Sequence, residues 1–117
     1  MITELAPAEV FVFGSNADGL HGAGAARFAF DNFGAIWGQG SGLQGRSYGI
    51  DTMSGFATMA EQVAAFLRFA AGHPELRFLV TAIGCGIAGY LPSEVAPLFV
   101  EVPPNVVLPE RFVAELG

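Results

Sequence analysis

The stretch FVFGSNADGLHGAGAA, residues 11–26, decides the fold of this chain. A short run of apolar residues leads into a glycine-rich turn and then into a helix-like segment, as a central strand of a parallel sheet connects to its helix. Glycine allows a sharp turn and a close approach of the backbone to a ligand, and a helix start offers unpaired N–H groups. The stretch therefore predicts an α/β fold with a glycine loop suited to a ligand.

A second stretch, FLVTAIGCGIAGYLP at residues 78–92, repeats the order of strand, glycine loop and helix start. In open α/β sheets ligands bind beyond the carboxyl ends of the strands, and both glycine loops fall at such ends. Either loop alone is explained equally well by an ordinary tight turn, because strand-to-helix turns often need glycine. The two loops together favour a phosphate-binding cleft.

The rest of the chain supplies the further elements of such a fold. The pattern predicts strands over residues 9–13 and 77–83, helices over 24–33 and 58–71, a short strand over 47–52, and a mostly loop segment over 36–48. It also predicts a helix start at 92–94 that Pro97 confines, and a terminal strand at either 99–102 or 106–108. This alternation predicts a three-layer α/β/α arrangement with a mostly parallel central sheet. The 117 residues are expected to form a single domain, 1–117.

Charge and composition exclude several classes of function. The formal charge of −6 repels nucleic acid at long range, so non-specific nucleic-acid binding is not expected. All five basic residues are arginines, which excludes a lysine nucleophile, a Schiff base and a P-loop lysine. One cysteine and two histidines are too few for a zinc site. No metal and no cofactor are expected.

The sequence also carries expectations about location and assembly. No apolar run reaches the roughly 18 residues of a membrane span, and the first residues do not resemble a signal peptide. We therefore expect a cytoplasmic location and no membrane partner. With an apolar content of 52%, the chain could bury an apolar face between two copies of itself in a homodimer.

The two glycine stretches resemble the ligand loops of the macro domain family. In the first, a strand that ends at Asn16 is followed by a glycine-rich loop that opens a helix; in the second, residues 84–90 are similar to the family's Gly-Ile/Val-x-Gly-aromatic loop. Residues 47–52 take the place of the family's intervening strand. The resemblance covers most of the chain, and its second loop is the more specific part. It implies binding of ADP-ribose and, in many members, hydrolytic removal of ADP-ribose from proteins, nucleic acids or small molecules.

The resemblance also implies positions for the ligand. Asn16 would hold the distal ribose, the diphosphate would lie between residues 21–24 and 84–90, and Tyr90 would line the ribose. Arg46, which is flanked by glycine and serine, has a guanidinium group that suits a phosphate. The expected ligand-binding residues are Ser15, Gly22, Ala23, Gly24, Arg46, Gly84, Cys85, Gly86, Ile87, Ala88, Gly89 and Tyr90.

Backbone groups can carry this binding in an acidic chain without lysine. Backbone N–H groups neutralise a diphosphate without basic side chains. The sequence departs from the family in lacking a match to the Gly-Asp motif whose acid reads adenine, and Asp18 or Asp51 could substitute for it. The first loop reads His-Gly-Ala-Gly rather than a run of three glycines.

Three side chains are candidates for catalysis. Asn16 could position a water. His21 could act as an acid or base, a reading that its flanking residues favour by suggesting an exposed loop, or it could cap a turn. Asp51 could activate a water at the ribose anomeric carbon or could form an Asx turn with Thr52. Cys85 could be a thiolate at a helix start, although a small residue filling a tight loop is the favoured reading.

The leading hypothesis is thus an ADP-ribosyl hydrolase that acts on an ADP-ribosylated substrate. One alternative is a non-catalytic module that reads ADP-ribose or another nucleotide. The other is a different nucleotide-handling enzyme, such as a nucleoside N-glycosidase.

Overall fold

The structure, a computed structural model, describes residues 2–117 as an α/β fold. In this part of the chain the strands are β1 (Glu9–Ser15), β2 (Gly42–Gln44), β3 (Ser47–Asp51), β4 (Arg77–Val80) and β5 (Val106–Val107). The α-helices are α1 (Gly24–Asn32), α2 (Phe56–Ala71), α3 (Pro92–Val95) and α4 (Glu110–Leu116), and a 3-10 helix covers Ala96–Phe99. None of the helices within residues 2–117 has the length and apolar character needed to cross a membrane.

All five strands form one sheet in the order β2-β3-β1-β4-β5. β1 runs parallel to both β3 and β4, and β4 runs parallel to β5, whereas β2 pairs antiparallel with β3. The predicted mostly parallel sheet is therefore confirmed. Because β1, β3 and β4 run in the same direction, their carboxyl ends lie at one edge of the sheet.

Side chains of β1 alternate between two apolar clusters. Val10 and Val12 belong to a cluster that also contains Met59, Val63 and Phe66 of α2. The other cluster combines Phe11 and Phe13 with the α1 residues Ala26 and Ala29, and with Phe33 just beyond α1. Four consecutive residues of β1 are thus buried, which explains why its sequence lacks the alternation of a half-exposed strand.

Several boundaries differ from the prediction. β4 ends at Val80 rather than Ile83, because the Ile83 N–H donates to the Thr81 carbonyl at 2.7 Å and turns the chain. α2 begins at Phe56, two residues before the predicted start. Strand β2 lies in a segment that was predicted to be mostly loop, and helix α4 was not predicted at all. Of the two candidates for a terminal strand, residues 106–107 form β5.

Candidate functional site

A cavity of about 470 Å³ opens at the carboxyl edge of the sheet, between the loop after β1 and the loop after β4. It is lined by residues 14–16, 20 and 22–26 around the first loop, by 52–53 after β3, and by 81–84 and 86–88 after β4. The cavity therefore lies where parallel strands place a ligand. Both glycine stretches contribute to it.

Eight of the twelve expected ligand-binding residues, together with Asn16, line this one cavity. They are Ser15, Asn16, Gly22, Ala23, Gly24, Gly84, Gly86, Ile87 and Ala88. The pairing of β1 with β4 brings their loops together, although the loops are far apart in the sequence.

Each loop contains a stretch whose backbone N–H groups have no acceptor within residues 2–117. None of the N–H groups of residues 22–26 and 86–88 donates a hydrogen bond in this part of the chain. At the start of α1, the first N–H with a partner belongs to Arg27, which donates to the Ala23 carbonyl at 3.2 Å. Ala23 makes no side-chain cap, and a helix start leaves its first N–H groups unsatisfied. The cavity is thus bordered by unpaired backbone donors from two loops, which we call the N–H cradle.

At two glycines of the cradle, Gly22 and Gly86, neither a steric clash nor backbone strain requires glycine. A Cβ atom added to Gly22 or Gly86 would meet no heavy atom within 4 Å, and neither residue has a positive φ. Gly84 differs, because its φ is +75° and an added Cβ would lie 3.0 Å from the Met59 Sδ. A side chain at Gly22 or Gly86 would therefore extend into open space without straining the fold.

Asn16 closes the first loop and also lines the cavity. Its Oδ1 accepts a hydrogen bond from the Leu20 N–H at 2.9 Å, and its Nδ2 donates to the Leu20 carbonyl at 3.1 Å. An amide has two hydrogens and two carbonyl lone pairs. Asn16 therefore keeps one donor and one acceptor beyond these two bonds.

The imidazole of His21 is buried rather than exposed, which corrects the expectation drawn from its neighbours. The side chain is 0% exposed, packs edge-on against Phe13 at 5.2 Å between ring centroids, and does not line the cavity. Its Nε2 lies 2.8 Å from the Ile36 carbonyl and 3.3 Å from the Gln44 Oε1. Because both partners are acceptors, Nε2 carries the hydrogen, while Nδ1 is buried without a partner in the described chain. His21 thus ties the first loop to the segment before β3.

Asp51 is engaged in a turn. It is 3% exposed, its Oδ1 accepts from the Met53 N–H at 2.9 Å, and its Oδ2 accepts from the Ser54 hydroxyl at 2.5 Å. The alternative reading as an Asx turn is therefore confirmed, although the N–H partner is Met53 rather than Thr52. Asp51 does not line the cavity, and both of its oxygens are occupied.

Arg46 lies away from the cavity. It precedes β3, and its guanidinium donates to the carbonyls of Leu5 and Ala6 at 3.2 and 2.7 Å. A strand of five residues spans roughly 15 Å, so Arg46 is near one end of β3 and the cavity is at the other. We therefore do not retain Arg46 as a ligand-binding residue of this cavity.

Three expected residues of the second loop lie beside the cavity without lining it: Cys85, Gly89 and Tyr90. The Tyr90 ring packs edge-on against Phe56, with 5.6 Å between ring centroids. Burial raises the pKa of the Cys85 thiol; the positive charge of Arg111 opposes this rise, and the negative charge of Glu94 adds to it. The thiol is therefore protonated at neutral pH, which agrees with a small residue filling a tight loop.

Two threonines that were not among the expected site residues, Thr52 and Thr81, line the cavity. The Thr81 hydroxyl donates to the Val12 carbonyl at 2.7 Å, and the Thr52 hydroxyl donates to the Ser15 carbonyl at 3.3 Å. Their position directly after β4 and β3 was the signal that could have found them. The residues that line the cavity include no charged side chain. Nowhere in residues 2–117 do three or more His, Cys, Asp or Glu side chains come together as a metal site would require.

A second cavity, of about 850 Å³, adjoins the first and shares Gly24, Ala25 and Thr81 with it. It lies along β4 and β5, and its remaining lining side chains are apolar: Ile2, Phe11, Phe28, Leu79, Val80, Val107, Leu108 and Pro109. No local sequence pattern predicts this second cavity, because its lining depends on which strands lie side by side.

The comparisons with known proteins leave the family open. The chain matches no protein-family model, no curated protein and no solved structure. The resemblance to macro domains therefore depends on the sequence alone, through the two loops and residues 47–52 between them.

Proposed function

We propose that this protein binds ADP-ribose or a related nucleoside diphosphate in the cavity between its two glycine loops. The observation that carries the proposal is the N–H cradle, which borders a cavity without charged side chains. Diphosphate oxygens supply the acceptors that these N–H groups lack, and the N-terminal end of α1 favours negative charge. Binding through the backbone is compatible with a chain of net charge −6.

The neighbouring features suit the rest of a nucleotide. Asn16 keeps one amide donor and one acceptor, which match the hydroxyls of a ribose. The apolar second cavity begins at residues of the cradle and offers room for a base. Its described lining includes no carboxylate or amide side chain, so a base there would be held by contact rather than by the acid that reads adenine in macro domains.

A macro-like architecture is part of the same proposal. Helices α1 and α2 contribute to different apolar clusters, on alternate residues of β1, which supports a three-layer α/β/α arrangement. Membership of the macro domain family, a cytoplasmic location and a possible homodimer stay predictions.

The geometry favours binding over hydrolysis. No titratable side chain of the described chain lines the cavity, and His21 and Asp51 make their hydrogen bonds elsewhere. Hydrolysis of an ADP-ribosyl linkage is the second candidate function, supported by Asn16. The free amide groups of Asn16 could hold a water near the anomeric carbon of the ribose.

The binding proposal is tested by thermal shift with ADP-ribose, ADP, NAD, AMP and ribose 5-phosphate. We expect the diphosphates to raise the Tm of the wild-type protein and to leave the Tm of Gly86→Glu unchanged, because a carboxylate would enter the N–H cradle. Gly72→Glu is the matched control: Gly72 follows α2 with a φ of −81° and does not line the cavity. The proposal fails if no diphosphate stabilises the wild-type protein, or if Gly86→Glu responds like Gly72→Glu.

The two candidate functions are separated by incubating the protein with an ADP-ribosylated peptide and following the peptide mass. A binding module leaves the mass unchanged while still responding to ADP-ribose. Release of ADP-ribose that Asn16→Ala abolishes, with ADP-ribose binding retained, would identify the hydrolase.

A further inference from the structure

Three apolar side chains of the cavity lining are about half or more exposed to solvent, and we call them the apolar mouth of the cavity. Leu20, Met53 and Ile87 all line the cavity, and their exposed fractions are 50%, 49% and 80%. They belong to the loop after β1, the turn after β3 and the loop after β4. Single exposed apolar residues are ordinary, but here three segments each place one at the same opening.

The same segments carry almost no charge. Across residues 14–26, 52–56 and 81–91, Asp18 is the only carboxylate, and there is no lysine or arginine. Asp18 does not line the cavity. Of the side chains that line the cavity, none would offer a charged group an opposite charge.

Two contacts connect the apolar mouth to the proposed ribose position. Leu20 is held to Asn16 by a hydrogen bond in each direction. Met53 follows Thr52, whose hydroxyl reaches the carbonyl of Ser15. In the sheet, β3 lies on one side of β1, and β4 and β5 lie on the other. Met53 and the second cavity are therefore at opposite sides of the cradle.

We propose that the group carried by the distal ribose of the ligand is neutral and apolar, and that it packs against Leu20, Met53 and Ile87. The inference rests on the proposed function, since it assigns the group attached to a nucleotide that the cradle holds. Apolar contact with these three side chains removes their surface from water, so the affinity increases with the apolar area of that group.

Three glycosides of ADP-ribose test the inference by titration calorimetry: the methyl, benzyl and carboxymethyl forms at the distal anomeric carbon. We expect the benzyl form to bind about fivefold or more tightly than the methyl form, and the carboxymethyl form to bind most weakly. In a Leu20→Ser, Met53→Ser double variant the benzyl preference should disappear, because the apolar contacts with the benzyl group are lost. Val113→Ser, at an exposed position of α4, should keep the preference.

The possible failures are distinguishable. Equal affinity for the methyl and benzyl forms, or tightest binding of the carboxymethyl form, overturns the inference and leaves the cradle intact. A benzyl preference that persists in the double variant also overturns it, because the apolar contact then lies elsewhere. If sedimentation shows a wild-type dimer that the double variant dissociates, the apolar mouth belongs to a second copy of the chain and the inference is wrong. If no glycoside binds but ADP-ribose does, the inference is wrong and the proposed function stands; if ADP-ribose does not bind either, the proposed function fails as well.

Discussion

In the first loop, the side chain of His21 is buried away from the cavity, although its sequence neighbours border the cavity. Its neighbours Leu20 and Gly22 line the cavity, whereas its imidazole is buried against Phe13 and bonded to the Ile36 carbonyl. The residue therefore holds the loop in place rather than touching a ligand. It is a positioning residue for the N–H cradle.

Replacing His21 by leucine should lower the free energy of unfolding by about 0.5–1.5 kcal/mol, because the hydrogen bond from the imidazole to the Ile36 carbonyl is lost and that carbonyl keeps only the Gln39 N–H as a donor. His21→Gln places an amide near the position of Nε2 and should recover part of this loss. Urea denaturation followed by Trp37 fluorescence measures both variants. Equal stability of wild type and His21→Leu would contradict the positioning role.

The sequence predicted the backbone of the site better than its side chains. Gly22 and Gly86 were found because a strand followed by glycine and a helix start places the backbone at the carboxyl edge of the sheet. His21 was expected to be exposed, and its burial depends on Ile36 and Gln44, which no local pattern connects to it. Asp51 could be read as a turn residue from its neighbours, but its burial could not.

Carbonyl groups at and after the C-terminal end of helix α2 accept hydrogen bonds from a side chain that is distant in the sequence. The Asn105 Nδ2, just before β5, shares its two hydrogens among the carbonyls of Ala70, His73 and Leu76, which lie at 2.9, 3.0 and 3.0 Å. The last carbonyls of a helix have no partner within it. Asn105 therefore connects the end of α2 to the start of β5.

Asn105→Ala should lower the free energy of unfolding by about 1–3 kcal/mol, since the Leu76 carbonyl loses its donor and the carbonyls of Ala70 and His73 keep only backbone donors. Asn105→Asp should cost more, because a carboxylate would face three carbonyl oxygens. Asn32→Asp is the control, as Asn32 bonds one carbonyl of α1 at an exposed site. Chemical denaturation compares the three, and the role of Asn105 is wrong if Asn105→Asp and Asn32→Asp lose the same stability.

Long elements with a clear periodicity could be predicted, and short ones could not. Helix α2 repeats buried residues at helical spacing, and β1 is apolar throughout, so both were found. Helix α4 buries only Phe112, which leaves no apolar stripe to recognise. Strand β2 has three residues and is defined by its pairing with β3, which the sequence does not display.

The whole molecule should lose stability at alkaline pH because of its aromatic core. Tyr48 packs against Phe66 and Phe69, with ring centroids 5.0 and 5.3 Å apart. Burial raises the pKa of the Tyr48 phenol, and the positive charge of Arg68 opposes part of this rise. The folded state therefore favours the protonated phenol.

The contribution of the protonated Tyr48 phenol to the free energy of unfolding is fully present below the ordinary phenol pKa of about 10. It is lost as the pH rises through the higher pKa of the folded state. Tyr48→Phe removes the titrating group and should flatten the decline. The free energy of unfolding of both proteins, measured from pH 7 to pH 11, tests this. Parallel declines in the two proteins would show that Tyr48 does not cause the loss.

The charge of the whole molecule sets the salt dependence of ligand binding. No basic side chain lines the cavity, so none of its lining residues attracts an anion by a positive charge. The net charge of −6 repels an anion at long range. Raising the salt concentration screens that repulsion. We expect the affinity for ADP-ribose to stay constant or to rise by up to about twofold between low and high salt. A tenfold loss of affinity in calorimetry would indicate a basic contact instead.

The unpaired N–H groups of residues 22–26 and 86–88 also determine how this protein exchanges amide hydrogen with solvent. An amide without an acceptor exchanges through local motion alone, whereas the amides of β1 exchange only when the sheet opens. A ligand in the cradle would replace solvent as the acceptor for both stretches at once. Residues 22–26 and 86–88 are far apart in the sequence, and the pairing of β1 with β4 brings them together. Slower exchange at both stretches would then report a single binding event.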